Sequence, residues 1–261
     1  MFYPKLPDNP FSREYQEKEI AWFSKKVQNR TYKNIELKVV EEIDWRLDGY
    51  MYKDWPAPLH NVPLFLIDGQ TWMSLTPMEI ESHYLPIFYA HGRVGVAGLG
   101  LGYYVQRILE KEEVEEIVVY ELNQDVIDFY YQNFGEHEKL TIVCQDVLTV
   151  NNEEFDFFYC DIYPGQMDTN AIGHHRIIAD NNIIHHYHFW TFESMVLHMM
   201  NDDEYREKFT IPMTTGMPLQ SFFEYLLEEK EGLVELAGDT DEIFEEFTLH
   251  YCPEGENLIN L

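Results

Sequence analysis

The sequence RVGVAGLGLGYYVQRI, residues 93–108, predicts a strand, a glycine turn and a helix in immediate succession. The stretches EIVVYELNQDVIDFYYQNFG at 116–135 and TIVCQDV at 141–147 continue this alternation of apolar runs and helical patterns. A fourth apolar run, EFDFFYC at 154–160, leads directly into Asp161. Strands that alternate with helices form a parallel sheet, and such sheets bind nucleotide-like ligands at the carboxyl ends of their strands. We therefore expect an α/β fold with a ligand site at that edge.

The glycines Gly98, Gly100 and Gly102 are the first candidate ligand-binding residues. They follow the predicted strand 94–97 with the spacing G-x-G-x-G, and glycine allows both a sharp bend and close approach of a ligand. The dinucleotide pattern would require glycine where Tyr103 stands. A plain tight turn is the alternative reading of this run.

Acidic residues follow the next three predicted strands. Glu121 ends the apolar strand 117–120, where a carboxylate can accept hydrogen bonds from both hydroxyls of a ribose. Asp146 follows strand 140–144 and can accept the exocyclic amine of an adenine, whereas Asp161 points into the same crevice. A capping role is the alternative for Asp146 and Asp161, and a surface charge is the alternative for Glu121.

The chain before residue 91 is predicted to form a smaller region that precedes the ligand-binding domain. A helix is expected over Ser12–Arg30, and period-two alternation from Ile35 indicates three to five antiparallel strands with turns at Asp48–Gly49 and Asp68–Gly69. Thr76 and Pro77 should begin a helix that runs to about Ala90. Its inward-facing residues should be Ile80, Tyr84, Leu85 and Phe88. The predicted division is thus 1–90 and 91–261.

Three further elements are predicted in the C-terminal part. The apolar residues between Phe189 and Met199 favour a buried helix that covers the sheet. A second helix is expected over Ser221–Lys230, and the segments 232–238 and 242–252 are typical of a closing antiparallel hairpin.

The 261 residues carry 47 acidic against 18 basic side chains, a formal charge of -29. With 15% aromatic residues the chain is not expected to be disordered. No basic face is available for nucleic acid, so we predict no nucleic-acid partner. The charge serves solubility or attracts a cationic substrate or a basic protein partner, and a homo-oligomer is possible.

The sequence also bears on location. Cys144, Cys160 and Cys252 lack the spacing of a metal site or a disulfide framework, which favours a reducing compartment. No signal-peptide pattern and no membrane-spanning apolar run are recognised. We therefore expect a soluble, cytoplasmic protein without a membrane partner.

Five histidines crowd the segment 174–188, in the sequences GHHR and HHYHF. They do not follow a clear metal-ligand template, and no metal is assigned. Structural or surface roles are favoured, with metal binding or proton transfer as the alternative.

The segment 62–164 resembles the cofactor-binding core of class I S-adenosylmethionine-dependent methyltransferases, and within them the spermidine synthase (polyamine aminopropyltransferase) branch. The resemblance implies a Rossmann-like fold with an N-terminal antiparallel β region, and S-adenosylmethionine or its decarboxylated form as cofactor. It places Gly98, Gly100 and Gly102 beside the methionine and ribose, Glu121 at the ribose, and Asp146 and Val147 at the adenine. It places Asp161 at the reacting centre, and we add Tyr163 as a second candidate catalytic residue.

Departures from the family pattern lie in the acceptor motifs. The family's G-G-G-D-G has Leu101 at its acidic position, and D-S-x-D-P is replaced by DIYP, which keeps only Asp161. The expected glutamine falls at Trp72 and the expected acidic pair at Pro77 and Met78. These departures support the fold of the family more strongly than its polyamine reaction. The leading expectation is transfer of a methyl or aminopropyl group to a small, cationic acceptor. The alternative is a non-catalytic binding protein that kept the fold and presents an acidic surface.

Overall fold

The computed structural model of the chain describes residues 6–44, 47–55, 58–166, 168, 170–201 and 219–230. An antiparallel region lies before a five-stranded parallel sheet, and helix α2 (Pro77–Tyr89) joins the two. This is the Rossmann-like α/β architecture with an N-terminal antiparallel region that the sequence predicts.

The N-terminal region consists of one helix and two antiparallel sheets. Its elements are α1 (Arg13–Ser24), β1 (Arg30–Tyr32), β2 (Ile35–Ile43), β3 (Leu47–Gly49), β4 (Tyr52–Trp55), β5 (Leu59–Ile67) and β6 (Gln70–Ser74). The larger sheet has the order β1-β2-β5-β6, and β3 pairs with β4. Helix α1 ends earlier than predicted because Arg30 pairs with Leu37 in the sheet rather than continuing the helix.

One of the two predicted turns is confirmed and one is wrong. Asp68 and Gly69 both have positive φ, 54° and 75°, and form the two-residue hairpin between β5 and β6. Asp48 and Gly49 instead lie in β3, and the hairpin turns at Tyr50 and Met51. The turn is displaced because Tyr50 is fully buried and its N–H donates to Glu81 at 2.7 Å.

The parallel sheet follows in the predicted order. Its strands are β7 (Gly92–Ala97), β8 (Val114–Glu121), β9 (Leu140–Cys144), β10 (Glu154–Cys160) and β11 (Ile183–Phe189). All neighbours in the order β11-β10-β7-β8-β9 are parallel. The intervening helices are α3 (Tyr103–Leu109), α4 (Gln124–Phe134), α5 (Asn170–Asn181) and α6 (Phe192–Asn201). The central strands are nearly continuous apolar runs because both faces of a parallel sheet are covered.

Helix α2 begins at Pro77 after Thr76, as predicted, and buries Ile80, Tyr84 and Leu85. Phe88 was wrongly expected to face inward; it is 37% exposed near the end of the helix. The buried face of α2 also carries polar residues, because Glu79, Glu81 and His83 are each at most 7% exposed.

The segment around the histidines differs from expectation. Residues 183–189 form β11, an edge strand that the sequence interpretation did not predict, so Phe189 ends a strand rather than beginning a helix. The buried helix is α6, and its residues Phe192, Met195, Val196 and Leu197 pack in the core.

The predicted C-terminal helix is α7 (Leu219–Glu229), which buries Phe222, Phe223 and Leu226. The predicted closing hairpin at 232–252, Cys252 and the side chain of Met199 lie outside the described residues. Among the helices that the structure describes, each is too short or too polar to cross a membrane.

Two buried glutamates fix the positions of α1 and α2. Glu19 of α1 is fully buried and forms an ion pair across to α3, where it accepts hydrogen bonds from Tyr103 at 2.9 Å and from Arg107 Nε at 2.7 Å. Glu81 of α2 accepts from the Tyr50 N–H and from the Tyr52 hydroxyl, each at 2.7 Å. Because a buried carboxyl group is costly unless it is paired or hydrogen-bonded, these contacts fix where α1 and α2 lie.

Candidate active site

A cavity of about 730 Å³ lies at the carboxyl ends of β7, β8, β9 and β10. Residues 70–75 of the antiparallel region and Glu79 and His83 of α2 form part of its wall, opposite the parallel sheet. The volume is typical of a site for a small molecule. Both regions of the fold therefore contribute to one site.

The glycine run forms the loop between β7 and α3. Gly98, Gly100 and Gly102 all have positive φ, at 89°, 49° and 83°. At Gly98 a Cβ would overlap the carbonyl oxygen of Asp161, so no other residue fits there. The loop that follows β7 and the loop that follows β10 therefore pack directly against each other.

Met73 of β6 contacts the same glycine loop from the antiparallel region. Its Sδ accepts a hydrogen bond from the Leu101 N–H at 3.3 Å, and a Cβ on Gly100 would overlap that sulfur. Leu101, which stands at the family's acidic position, is buried at 4% exposure. An apolar contact thus replaces a charged group at this point of the wall.

Glu121 connects the end of β8 to the glycine loop. Its Oε2 accepts from the Leu99 N–H at 3.1 Å and its Oε1 from the Asn123 N–H at 2.8 Å. A carboxylate oxygen can accept more than one hydrogen bond, so both oxygens retain capacity toward a ligand. The surface-charge alternative does not describe Glu121, which lines the cavity.

Asp146 and Val147 follow β9 and also line the cavity. Asp146 Oδ1 accepts from the Leu148 N–H at 3.0 Å and caps the short turn Val147–Thr149. The capping alternative is therefore correct for Asp146, and the cap fixes its carboxylate at the cavity wall.

Asp161 follows β10, and its N–H donates to the Ala97 carbonyl at 2.8 Å. Its Oδ2 lies 3.3 Å from His83 Nε2, and 18% of its side chain is exposed. Tyr163 lines the cavity as well, but its hydroxyl lies 3.4 Å from Cys160 Sγ. Burial holds the pKa of Tyr163 well above its usual range, so this side chain stays a neutral phenol.

The sequence interpretation missed Glu79 and His83, which are four residues apart on α2. His83 Nδ1 lies 2.7 Å from the Glu79 carbonyl and 3.4 Å from Glu79 Oε2. Burial raises the pKa of Glu79 to about 7. Burial alone would lower the pKa of His83, but the hydrogen bond to Asp161 and the charge of Glu79 outweigh it, and the pKa is raised. An i,i+4 pair of Glu and His on a predicted helix is the signal that could have identified them.

The wall of the cavity is predominantly acidic. Four acidic residues line the cavity: Glu79, Glu121, Asp146 and Asp161. Within the described part of the chain, no Lys or Arg is among the lining residues. Such a wall favours a ligand that carries positive charge.

The five histidines of 174–188 are separated from this cavity. His188 is buried and lies 3.0 Å from Glu193, whereas His185 is exposed beside Glu154. Burial lowers the pKa of His175 to about 4, so it is neutral at physiological pH. Across the described ranges, no three His, Cys, Asp or Glu side chains are grouped so that they could hold a metal ion.

No protein-family model matches the sequence, and no curated protein matches it. Among solved structures, spermidine synthase from Thermotoga maritima is 17% identical over 60% of this chain and 62% of its own, with a TM-score of 0.35. The 23S rRNA methyltransferase ErmE is 19% identical over 38% and 41%, with a TM-score of 0.31. The N-methyltransferase NodS from Bradyrhizobium japonicum is 18% identical over 41% and 61%, with a TM-score of 0.32.

The chain spans less than two thirds of the length of each of these three structures. Methyltransferases and a spermidine synthase, the two groups that the sequence resembles, are both among them. The similarity concerns the fold alone, and the assignment rests on the parallel strand order and the position of the glycine loop. The chain has a Rossmann-like α/β fold, preceded by an antiparallel β region.

Proposed function

We propose that the protein binds S-adenosylmethionine, or its decarboxylated form, and transfers a methyl or aminopropyl group to a small acceptor. One observation carries the proposal: the glycine loop, Glu121 and Asp146, which follow three neighbouring strands, line a single cavity. Ligands of open α/β sheets bind in such a crevice outside the carboxyl ends of the strands.

The wall suits an adenosyl ligand. Glu121 would accept the ribose hydroxyls, and Asp146 with Val147 would contact the adenine. Leu122 is 70% exposed at the same wall and offers an apolar surface to the base. When bound, the sulfonium group of the ligand supplies an activated carbon for transfer.

The protein's own part in the reaction is to hold the acceptor and to take its proton. We assign Asp161 as the proton acceptor because its carboxylate lines the cavity and keeps one oxygen outside the His83 contact. Tyr163, the second candidate catalytic residue, is assigned to the wall because its hydroxyl contacts Cys160.

The acidic wall supports a small, cationic acceptor over an anionic one. A cytoplasmic location belongs to the same proposal, since Cys144 and Cys160 are free thiols. A homo-oligomer or a basic protein partner stays a prediction from the charge of the sequence.

Calorimetry with S-adenosylmethionine, its decarboxylated form and methylthioadenosine tests the proposal. We expect Glu121→Ala to weaken binding about 10- to 100-fold, since hydrogen bonds to charged groups contribute ~1.5–3 kcal/mol. The matched control is Glu116→Ala on the same strand, whose carboxylate pairs with Arg93 and does not line the cavity. The absence of heat with all three compounds would overturn the proposal.

The non-catalytic alternative is distinguished by turnover. Leu101 and the single acid of DIYP are the features that favour it. Binding of S-adenosylmethionine without transfer to any of a panel of small amines would support a binding protein. Transfer that persists unchanged in Asp161→Asn would show that the assigned proton acceptor is wrong.

A further inference from the structure

Three ionisable side chains form a continuous row at the inner end of the cavity. His83 stands between Asp161, 3.3 Å from its Nε2, and Glu79, whose Oε2 is 3.4 Å from its Nδ1. Asp161 is the most exposed of the three: 18% of its side chain is exposed, against 9% for Glu79 and 3% for His83. The carboxylate of Asp161 is therefore the group of the row that a ligand reaches most easily.

Hydrogen-bond chemistry fixes the protons of His83. The Glu79 carbonyl can only accept, so the Nδ1 atom 2.7 Å away carries a hydrogen. In a neutral ring with that tautomer, Nε2 would present a lone pair to the Asp161 carboxylate, and two acceptors would face each other. A proton must therefore lie between Nε2 and Asp161 Oδ2. The pKa of His83 is raised by Asp161 and Glu79, so we assign this proton to the imidazole and describe the pair as an imidazolium and a carboxylate.

The other groups around His83 are uncharged. The rings of Tyr103 and Tyr104 on α3 and Tyr159 on β10 have centroids 5.6–6.1 Å from the imidazole. Burial holds the pKa of all three phenols well above their usual range. The hydroxyl of Ser82 lies 3.5 Å from Nδ1. The charges that His83 meets in the described structure are thus those of Glu79 and Asp161.

We propose that Glu79, His83 and Asp161 together form the proton acceptor of the transfer reaction, with the proton entering at Asp161 and His83 passing its Nδ1 proton to Glu79. This proposal rests on the proposed function and deepens it. Asp161 touches the acceptor, whereas His83 and Glu79 are positioning residues that act through it.

The three groups take up one proton in total during the transfer. Before transfer, two carboxylates and one imidazolium carry a net charge of minus one. As the new bond to the acceptor forms, its bond to hydrogen breaks and that proton binds Asp161. The Nδ1 proton moves to Glu79 Oε2, and all three groups become neutral. The new O–H of Glu79 then donates to the Nδ1 lone pair, and the Glu79 carbonyl keeps the hydrogen bond that the Ser82 hydroxyl donates to it. Burial favours the neutral state, because a net charge away from water is costly.

Glu79 is suited to receive that proton. Its Oε2 is buried and, among the described residues, has no hydrogen-bond partner. An unsatisfied buried oxygen is rare in folded proteins and costs free energy until it is paired. Proton transfer from Nδ1 supplies the missing bond.

Histidine nitrogen NMR of the free protein tests the resting state without any ligand. We expect both nitrogens of His83 to remain protonated at about pH 7, above the ordinary titration range of histidine. The variants Glu79→Gln and Asp161→Asn should each lower the titration midpoint by about one pH unit or more, because each removes a favourable charge. The variant His83→Gln identifies the resonance by its loss.

A matched control uses the same helix. Glu81→Gln changes a glutamate of α2 that is equally buried but bonds to Tyr50 and Tyr52, away from His83. It should leave the His83 titration unchanged, and the dispersion of the amide spectrum verifies that each variant is folded. A His83 that is neutral at about pH 7, or that titrates alike in the wild type and both acid variants, would overturn the proposal.

Kinetics separates this proposal from the proposed function. With S-adenosylmethionine as the donor and a responsive amine, Glu79→Gln should lower kcat about 10- to 100-fold, with little change in KM for the donor. The substitution should also shift the pH dependence of kcat, because Glu79 is part of the proton acceptor. A purely structural role of Glu79 would leave that pH dependence unchanged. If NMR shows a protonated His83 but calorimetry detects no binding of any adenosyl compound, only the proposed function is overturned. If an adenosyl compound binds but His83 is neutral, only the proposal for Glu79, His83 and Asp161 is overturned.

Discussion

The two ends of the cavity are built from different kinds of contact. At the outer end, Glu121 and Asp146 are held by backbone N–H groups of loops that directly follow the strands. At the inner end, Glu79, His83 and Asp161 are held by one another, and they come from elements far apart in the sequence. Local motifs therefore describe the outer end, whereas tertiary packing determines the inner end.

The first prediction concerns Gly98, where the glycine loop of the outer end packs against the Asp161 backbone of the inner end. Gly98→Ala should destabilise the protein by roughly 2–5 kcal/mol, because positive φ costs ~1–2 kcal/mol and overlap in a packed site ~1–3 kcal/mol. The control is Gly69→Ala in the hairpin between β5 and β6, which also has positive φ (75°) but has no atom within 4 Å of the added Cβ. Denaturant unfolding measures both, and equal losses would contradict the close approach to Asp161.

A second prediction concerns Glu81, the fully buried glutamate of α2. Burial raises the pKa of Glu81 to about 8, so the folded protein holds a proton that the unfolded chain releases above about pH 4.3. This contribution to stability is full below the unfolded pKa and is lost as the pH rises through about 8, on the order of 5 kcal/mol. Glu81→Gln should flatten the dependence of unfolding free energy on pH. If the unfolding free energy of Glu81→Gln falls with pH as steeply as that of the wild type between about pH 4.3 and 8, the raised pKa of Glu81 is contradicted.

The smallest expected effect is at the rim of the outer end. Leu122→Ser should change the free energy of unfolding by less than about 0.5 kcal/mol, because the side chain is 70% exposed. It should weaken methylthioadenosine binding by about 1 kcal/mol, near fivefold, if the leucine covers the base. Ile183→Ser, 58% exposed on β11 and outside the cavity, is the control for calorimetry. If the wild type, Leu122→Ser and Ile183→Ser bind methylthioadenosine with equal affinity, Leu122 does not contact the base.

The sequence allowed the outer end to be predicted almost completely. Strand β9 and the start of α3 at Tyr103 have the predicted bounds, and the glycine loop, Glu121 and Asp146 line one cavity as expected. These features succeed because parallel strands bring their carboxyl ends together whatever the rest of the chain does.

The inner end was not predicted, and the reason is physical. An amphipathic pattern identifies the buried face of α2 by its hydrophobic residues, whereas Glu79 and His83 are buried there although both are ionisable, and His83 lies between Glu79 and Asp161. The edge strand β11 was missed because its histidines range from exposed His185 to buried His188, a difference that composition alone does not reveal. The i,i+4 spacing of Glu79 and His83 is a local signal, but the pairing of His83 with Asp161 joins distant elements and has no local sequence pattern.

The contribution of the antiparallel region to the cavity has a consequence for how such a protein can evolve. Met73, Glu79 and His83 all precede residue 91, whereas Gly98, Glu121, Asp146 and Asp161 follow it. A recombination event at that point would exchange Met73, Glu79 and His83 together, while Asp161 and the residues proposed to hold the nucleoside would stay in place. Under the proposed function, Asp161 could in this way acquire new neighbours without any change to the residues assigned to the donor.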